Sequence, residues 1–208
     1  IQTDLLSLRE LASKSNFEIY TKLYEFNPFE DKACSWFDAW WMFGIRQGFD
    51  IVIGNPPYIK EPTNRNAFDG FRYTKYYQGK MDLWYGFACV MLDNLKKDSG
   101  ILIFIATNNW VTNAGASKFR NKVVDDAQIL QLIDFGNYKI FESADIQTMI
   151  MIFKANNKLS EYAFEYRRII DTQVELDDII QLFNGVNNNK CKILNPTFNR
   201  ILFKDKSF

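Results

Sequence analysis

Residues 49–60 read "FDIVIGNPPYIK", an apolar, β-branched run that stops on Asn-Pro-Pro-Tyr. The run has the character of a short strand buried on both faces of a parallel sheet. Two prolines then end it. Neither can donate to a ladder, and a residue that precedes a proline is held extended, so the turn is stiff and its direction preset. In such a turn Asn55 aims its carboxamide oxygen, and Pro56 its backbone carbonyl, into the crevice beyond the strand. Two acceptors converging on one point suit an amino group that carries two hydrogens. Tyr58 adds a flat ring for stacking, a contact worth about 1–3 kcal/mol per nucleic-acid base.

Outward from this turn the pattern alternates. "MDLWYGFACVMLDNLKKDSG" (81–100) places Leu83, Tyr85 or Phe87, Val90, Met91 and Leu95 at helical spacing before a Gly-containing stop, and "ILIFIA" (101–106) follows as a second strand. "AGASKFRNKVVDDA" (114–127) predicts another helix, "ILQLIDFG" (129–136) a third strand and "IQTMIMIFK" (146–154) a fourth. Alternation of this kind predicts an α/β fold with ligands at the carboxyl ends of the strands, where the Asn-Pro-Pro-Tyr turn sits.

Three stretches are expected to lie outside this layer. Residues 1–47 read as a helix, "TDLLSLRELASK" with Thr3 or Asp4 as N-cap, and then an aromatic stretch whose Trp36, Trp40 and Trp41 plug an apolar surface. Residues 60–80, "KEPTNRNAFDGFRYTKYYQGK", are too long for an ordinary connection and form a candidate binding loop. That loop holds Lys60, Arg65, Arg72, Lys75 and Lys80 against only Glu61 and Asp69, interleaved with five aromatic rings, so the five cations are candidate DNA contacts. Beyond Ala155 the chain turns charged and then Asn-rich, "NGVNNNKCK", and residues 156–208 read as a linker.

Composition removes whole classes of chemistry. The 208 residues contain no histidine, which excludes Ser-His and Cys-His pairs, His-ligated zinc and imidazole acid/base catalysis. Cys34, Cys89 and Cys191 are isolated singles, which argues against a zinc knuckle or disulfide framework and for a reducing, cytoplasmic setting. No metal is expected. The formal net charge is zero, so any nucleic-acid role rests on local patches such as the 60–80 loop. No run is long and uncharged enough for a membrane helix, and "IQTDLLSLRE" at the start lacks the basic and apolar regions of a secretory signal.

The combination of "GFDIVIGNPPYI", "GKMDLWYGF", "GILIFIATNNWV" and "IDFGNYKIFESADIQTMIMIF", in this order and spacing over residues 34 to 155, resembles the adenine-N6 DNA methyltransferases of the gamma arrangement, particularly the type IIG restriction-modification enzymes. The resemblance implies a partial Rossmann-like sheet, the C-terminal half of an S-adenosylmethionine-dependent catalytic domain, spanning residues 48–155. It implies that Asn55 and Pro56 accept hydrogen bonds from the adenine N6 amino group, and that Tyr58 stacks on the flipped base. Pro57 and Phe141 border the base, Phe141 from the opposite side. Phe87 and Asp82 lie near the cofactor, S-adenosyl-L-methionine, and the partner is double-stranded DNA.

The chain also departs from that pattern. The only glycines before Asn55 are Gly44, Gly48 and Gly54, in no Gly-x-Gly arrangement, so the motif that holds the methionine end of the cofactor is missing, as is a target-recognition domain. The chain is therefore expected to be a central fragment, inactive alone, with the Asn-Pro-Pro-Tyr strand left as a sheet edge. Such an edge recruits partners. Either residues 1–47 cover it or two copies associate through it. Two other readings stay open: the same chemistry on a protein glutamine or an RNA base, and a non-catalytic DNA-specificity or interaction module.

Overall fold

A computed structural model describes residues 43–141, 146–156 and 158–206. The chain divides into two compact units, Ile1–Arg46 and Gln47–Phe208, and the second carries all the elements described below. The readings of residues 1–42, including the N-cap at Thr3 or Asp4 and the three tryptophans, lie outside the described residues.

The four sequence-predicted strands form β1 (Ile51–Gly54), β2 (Ile101–Thr107), β3 (Ala127–Asp134) and β4 (Thr148–Ala155). Helix α1 (Leu83–Asp93) joins β1 to β2, and α2 (Ser117–Asp126) joins β2 to β3. β1 and β2 are parallel, with Ile51 opposite Ile101 and Ile53 opposite Ile103. β4 then inserts between β2 and β3, antiparallel to both, so the sheet is mixed.

Residues 158–206, read from the sequence as part of a linker, fold into regular elements. They form β5 (Glu161–Ala163), β6 (Glu165–Ile169), α3 (Leu176–Phe183), β7 (Cys191–Leu194), β8 (Thr197–Asn199) and the short α4 (Arg200–Phe203). β6 and β7 extend the main sheet to the order β1-β2-β4-β3-β6-β7, while β5 and β8 pair separately. The charged look of "EYRRI" misleads because Arg167 lies along the sheet and spends its guanidinium on the Leu182 and Phe183 carbonyls at the end of α3 and on Glu165.

One face of the sheet, under α1 and α2, carries Leu102, Phe104, Met149, Met151 and Phe153 against a cluster of buried aromatics. Phe119 of α2 stands 5.2 Å from Trp84, 5.1 Å from Trp110 and 6.1 Å from Phe153, ring centre to ring centre. On α1 the buried positions are Trp84, Tyr85, Gly86, Ala88, Cys89 and Leu92; of the expected stripe Tyr85 and, past the helix end, Leu95 are buried, while Leu83 and Met91 pack only at the margin of the core. The helix therefore sits rotated from the expected face, with its largest ring, Trp84, wholly inside and its indole N–H donating to Thr107 at 3.0 Å. The opposite sheet face is covered under α3 by Ile133, Ile169, Ile179 and Leu182.

Towards β1 that second face is open. Ile51 is 63% exposed and Ile53 76%, so β1 is not buried on both faces as its composition predicts. The cause is its place: among the described residues β1 is the terminal strand of the sheet, with β2 as its one neighbour and no element over the isoleucine face. Whether residues 1–47 account for cover lies largely outside the described residues.

Candidate active site

The turn after β1 leaves Asn55 exposed, the Pro56 ring buried, Pro57 exposed and Tyr58 half-buried. The Pro56 carbonyl accepts no hydrogen bond from a described residue, so it stays available as an acceptor. Tyr58 reaches back across the sheet: its hydroxyl approaches Asn55 Oδ1 at 2.5 Å and the carbonyl of Ile105, near the carboxyl end of β2, at 2.7 Å. Burial, reinforced by the Asp82 charge, pushes the phenol up to about 12, so it stays a protonated donor.

Phe141 enters from the segment after β3. Its ring centre lies 6.4 Å from that of Tyr58, tilted by 55°. Phe141, far along the chain from the Asn55–Tyr58 turn, thus shares one end of the sheet with it. Two rings separated in this way can close on a planar group between them with small adjustments, while Asn55 and Pro56 offer acceptors beside it.

The turn is held by the segment ahead of α1. Lys60 and Asp82 form an antiparallel bridge, Leu83 N–H donates to Ile59 O at 2.8 Å, and Glu61 N–H donates to Met81 O at 2.9 Å. Asp82 is only 2% exposed, and its Oδ1 has no hydrogen-bond partner. Burial raises its carboxyl to about 6, opposed by the Trp84 N–H, the charge of Lys60, and the Leu83 and Ile59 N–H groups. That burial places Asp82 beneath the surface of the turn rather than on it. Phe87 behaves differently: it lies on α1 with its ring 42% exposed, not packed in the core, and is free to meet a ligand.

The basic loop is a braced structure. The Tyr77 hydroxyl donates to Glu61, Lys80 N–H donates to the same carboxylate at 2.6 Å, and Arg72 lies 3.7 Å from it. The Tyr77 hydrogen bond, with Lys80 N–H and Arg72, holds the Glu61 carboxyl below the usual range. Gln78 donates to Ala114 O at 2.8 Å and accepts from Lys118 N–H at 2.7 Å at the start of α2. Phe71 lies over α1 so closely that a Cβ on Gly86 would meet its ring at 2.1 Å, and a Cβ on Gly115 would meet the Lys80 carbonyl at 2.2 Å. Both glycines are dictated by close approach.

Of the five candidate DNA contacts, Lys60, Arg65, Lys75 and Lys80 are exposed. Arg72 is partly engaged within the loop: it donates to Arg65 O at 2.7 Å and pairs with Asp69 at 3.3 Å, so it braces the loop. Lys75 pairs with Asp93 at 3.1 Å yet remains largely solvent-facing. The loop also raises Tyr73 to 93% exposure, a ring the sequence reading did not single out. Two further parts escaped that reading, the Ile105 carbonyl and the Gln78 brace. A backbone acceptor leaves no sequence signal, and Gln78 stands in no recognisable capping pattern. Among the described residues no group of acidic or cysteine side chains is arranged to hold a metal ion, and no helix is long and apolar enough to cross a membrane.

Residues 4–141 match the family described as Eco57I restriction-modification methylase. Among curated relatives, the type II methyltransferase M.BanIII of Aneurinibacillus aneurinilyticus is 27% identical over 111 residues, covering 52% of this chain and 19% of that protein. A Methanocaldococcus jannaschii sequence carrying the name of a type II restriction enzyme and methyltransferase is 27% identical over 189 residues, covering 87% of this chain and 15% of its own length. The chain thus spans less than a fifth of either relative. In fold it resembles a subunit assigned to modification in a type I restriction enzyme of Vibrio vulnificus, with a TM-score of 0.52 at 12% identity over 72% of this chain and 34% of that one.

Proposed function

The chain belongs to the Eco57I restriction-modification methylase family, and on that premise we propose that it supplies the catalytic turn of a cytoplasmic DNA adenine-N6 methyltransferase. The observation that carries this reading is the meeting of Asn55, Tyr58 and Phe141 at one end of the sheet. Asn55 Oδ1 and the Pro56 carbonyl accept the two N6 hydrogens. This favours a pyramidal nitrogen whose lone pair is no longer spread into the ring. Tyr58, Pro57 and Phe141 hold the flipped base, whose removal from the stack costs a few kcal/mol that stacking and hydrogen bonding offset.

S-adenosyl-L-methionine supplies a methyl group on a sulfonium, and Phe87 is the exposed ring on which its adenine can lie. As the N–C bond forms the C–S bond breaks, and the amino nitrogen then releases one proton to water. Alignment and fixed dipoles carry such a transfer without a histidine base. Lys60, Arg65, Lys75 and Lys80 meet the phosphates of double-stranded DNA. The end position of β1 among the described strands supports a further proposal, that the chain by itself pairs with a second copy through this edge.

The test offers S-adenosylmethionine labelled on its methyl group to the full-length protein with DNA, RNA and protein substrates. Label on DNA is expected. Label confined to a protein glutamine or to RNA would replace this reading by the same chemistry on another amine or amide, and label on none would leave a binding module.

A further inference from the structure

Resting on the function proposed above, we propose that Lys80 holds the phosphate of the extruded nucleotide itself and so fixes the flipped base in the site, a task distinct from general contact with the duplex. Lys80 has a φ of 50°, in the left-handed region that glycine adopts freely and that strains a residue carrying a Cβ. Its backbone is locked there from both sides. The Lys80 N–H donates to Glu61 at 2.6 Å, and that carboxylate is itself held by the Tyr77 hydroxyl, with Arg72 at 3.7 Å. The Lys80 carbonyl packs onto Gly115 so closely that a Cβ on the glycine would come within 2.2 Å of it.

The side chain takes no part in this lock. It is exposed, and among the described residues it has neither an ion pair nor a hydrogen bond. A glycine would keep both backbone contacts without the strain, so a lysine held at this angle points to a partner outside the chain. Its charge makes that partner an anion.

The position of Lys80 narrows the choice. Lys60 bridges Asp82 and Glu61 N–H donates to Met81 O at 2.9 Å, so residues 80–82 run beside the segment that follows Tyr58. In that register Lys80 stands about four residues along from the level of Tyr58, roughly 13 Å at about 3.3 Å per extended residue. A lysine stem and one nucleotide together cover such a span. For a base lying between Tyr58 and Phe141, the anion at that distance is its own phosphodiester. Lys75, by contrast, is tied to Asp93 and lies over the Tyr76 ring at 4.8 Å. A cation on a locked backbone meets one phosphate at one geometry, and a transfer reaction loses about 100-fold when its partners are misplaced by about 1 Å.

The experiment uses the full-length protein with S-adenosylmethionine and two duplexes, one natural and one carrying a neutral methylphosphonate in place of the target nucleotide's phosphate. Single-turnover methyl transfer is measured for wild type, Lys80→Gly and Lys80→Arg. On natural DNA, Lys80→Gly is expected to be roughly 10- to 100-fold slower, the loss of one hydrogen bond between charged groups, while melting no lower than wild type because the strain is gone. Lys80→Arg recovers most of the rate. The methylphosphonate should slow wild type by a similar factor and slow Lys80→Gly little further, since the two changes remove the same contact.

Lys80→Gly with the wild-type rate would overturn the proposal. So would losses that multiply when the variant meets the methylphosphonate, because Lys80 would then act elsewhere. A wild type that leaves natural DNA unmethylated would overturn the functional reading and this proposal together, an outcome read on wild type alone before any variant is compared.

Discussion

The hydroxyl of Tyr58 lies 2.5 Å from Oδ1 of Asn55 and 2.7 Å from the carbonyl oxygen of Ile105. One hydroxyl hydrogen cannot serve two acceptors fully. A half-turn of the carboxamide resolves the conflict: Asn55 Nδ2–H donates to the phenol oxygen, the phenol donates to Ile105 O, and Oδ1 is released toward the crevice. Tyr58 thereby orients the acceptor as well as offering a ring. Tyr58→Phe should slow transfer about 2- to 10-fold, the worth of one neutral hydrogen bond. Tyr58→Ala should cost more, because the stacking ring goes too. Single-turnover rates for the two variants separate the contributions.

Phe141 stands 6.4 Å from Tyr58 and is only half-buried, so it contributes little to the core. Phe141→Ala is expected to leave thermal unfolding nearly unchanged. It should weaken binding of DNA carrying an extruded adenine by roughly 5- to 150-fold, the equivalent of losing one stacked face. Fluorescence of 2-aminopurine at the target position reads the loss directly. A large drop in melting temperature with unaltered base capture would assign Phe141 to the core instead.

The braced loop separates cations that meet phosphate from one that holds the fold. Lys60→Ala and Arg65→Ala should each reduce the slope of log affinity against log salt by about 1. Arg72, tied to Arg65 O and Asp69 and close to Glu61, should leave that slope unchanged. Arg72→Ala should instead speed proteolytic cleavage within residues 60–80, measured by limited digestion.

Asp82 also has a stability signature. Burial raises its carboxyl from 3.8 to about 6, so the folded state disfavours the charge. The penalty is fully present above the folded value and is relieved as pH falls toward the unfolded one. Asp82→Asn should therefore melt higher than wild type at pH 7.5, and the gap should shrink by pH 4. Thermal unfolding of both chains at the two pH values checks the sign.

The layer from β1 to β4 was legible because each strand is a short, uninterrupted apolar run and each helix follows a clear stop signal. What misled was the assumption that apolar β1 must be covered: Ile51 and Ile53 show that composition reports what a strand can bury, not what the described residues around it supply. The β6-β7 extension was missed because Arg167 and Arg168 read as solvent-facing charge, whereas Arg167 finds carbonyl partners at the end of α3. In the site, the Asn-Pro-Pro-Tyr turn was readable from proline chemistry alone. The burial of Asp82 was not, since it depends on the pairing of residues 59–61 with 81–83. The bracing role of Arg72 likewise appears only once the loop closes on Glu61.

The central claim is that Asn55 and Pro56 present paired acceptors to an exocyclic amine held between rings. Nucleoside analysis by mass spectrometry of DNA treated with the full-length protein and S-adenosylmethionine tests it most directly. Wild type should yield N6-methyladenine, and Asn55→Ala should reduce the yield rate by at least about 100-fold, the usual loss when one preorganised polar group is removed from a reacting centre. An Asn55→Ala protein that methylates adenine N6 at the wild-type rate would contradict the account.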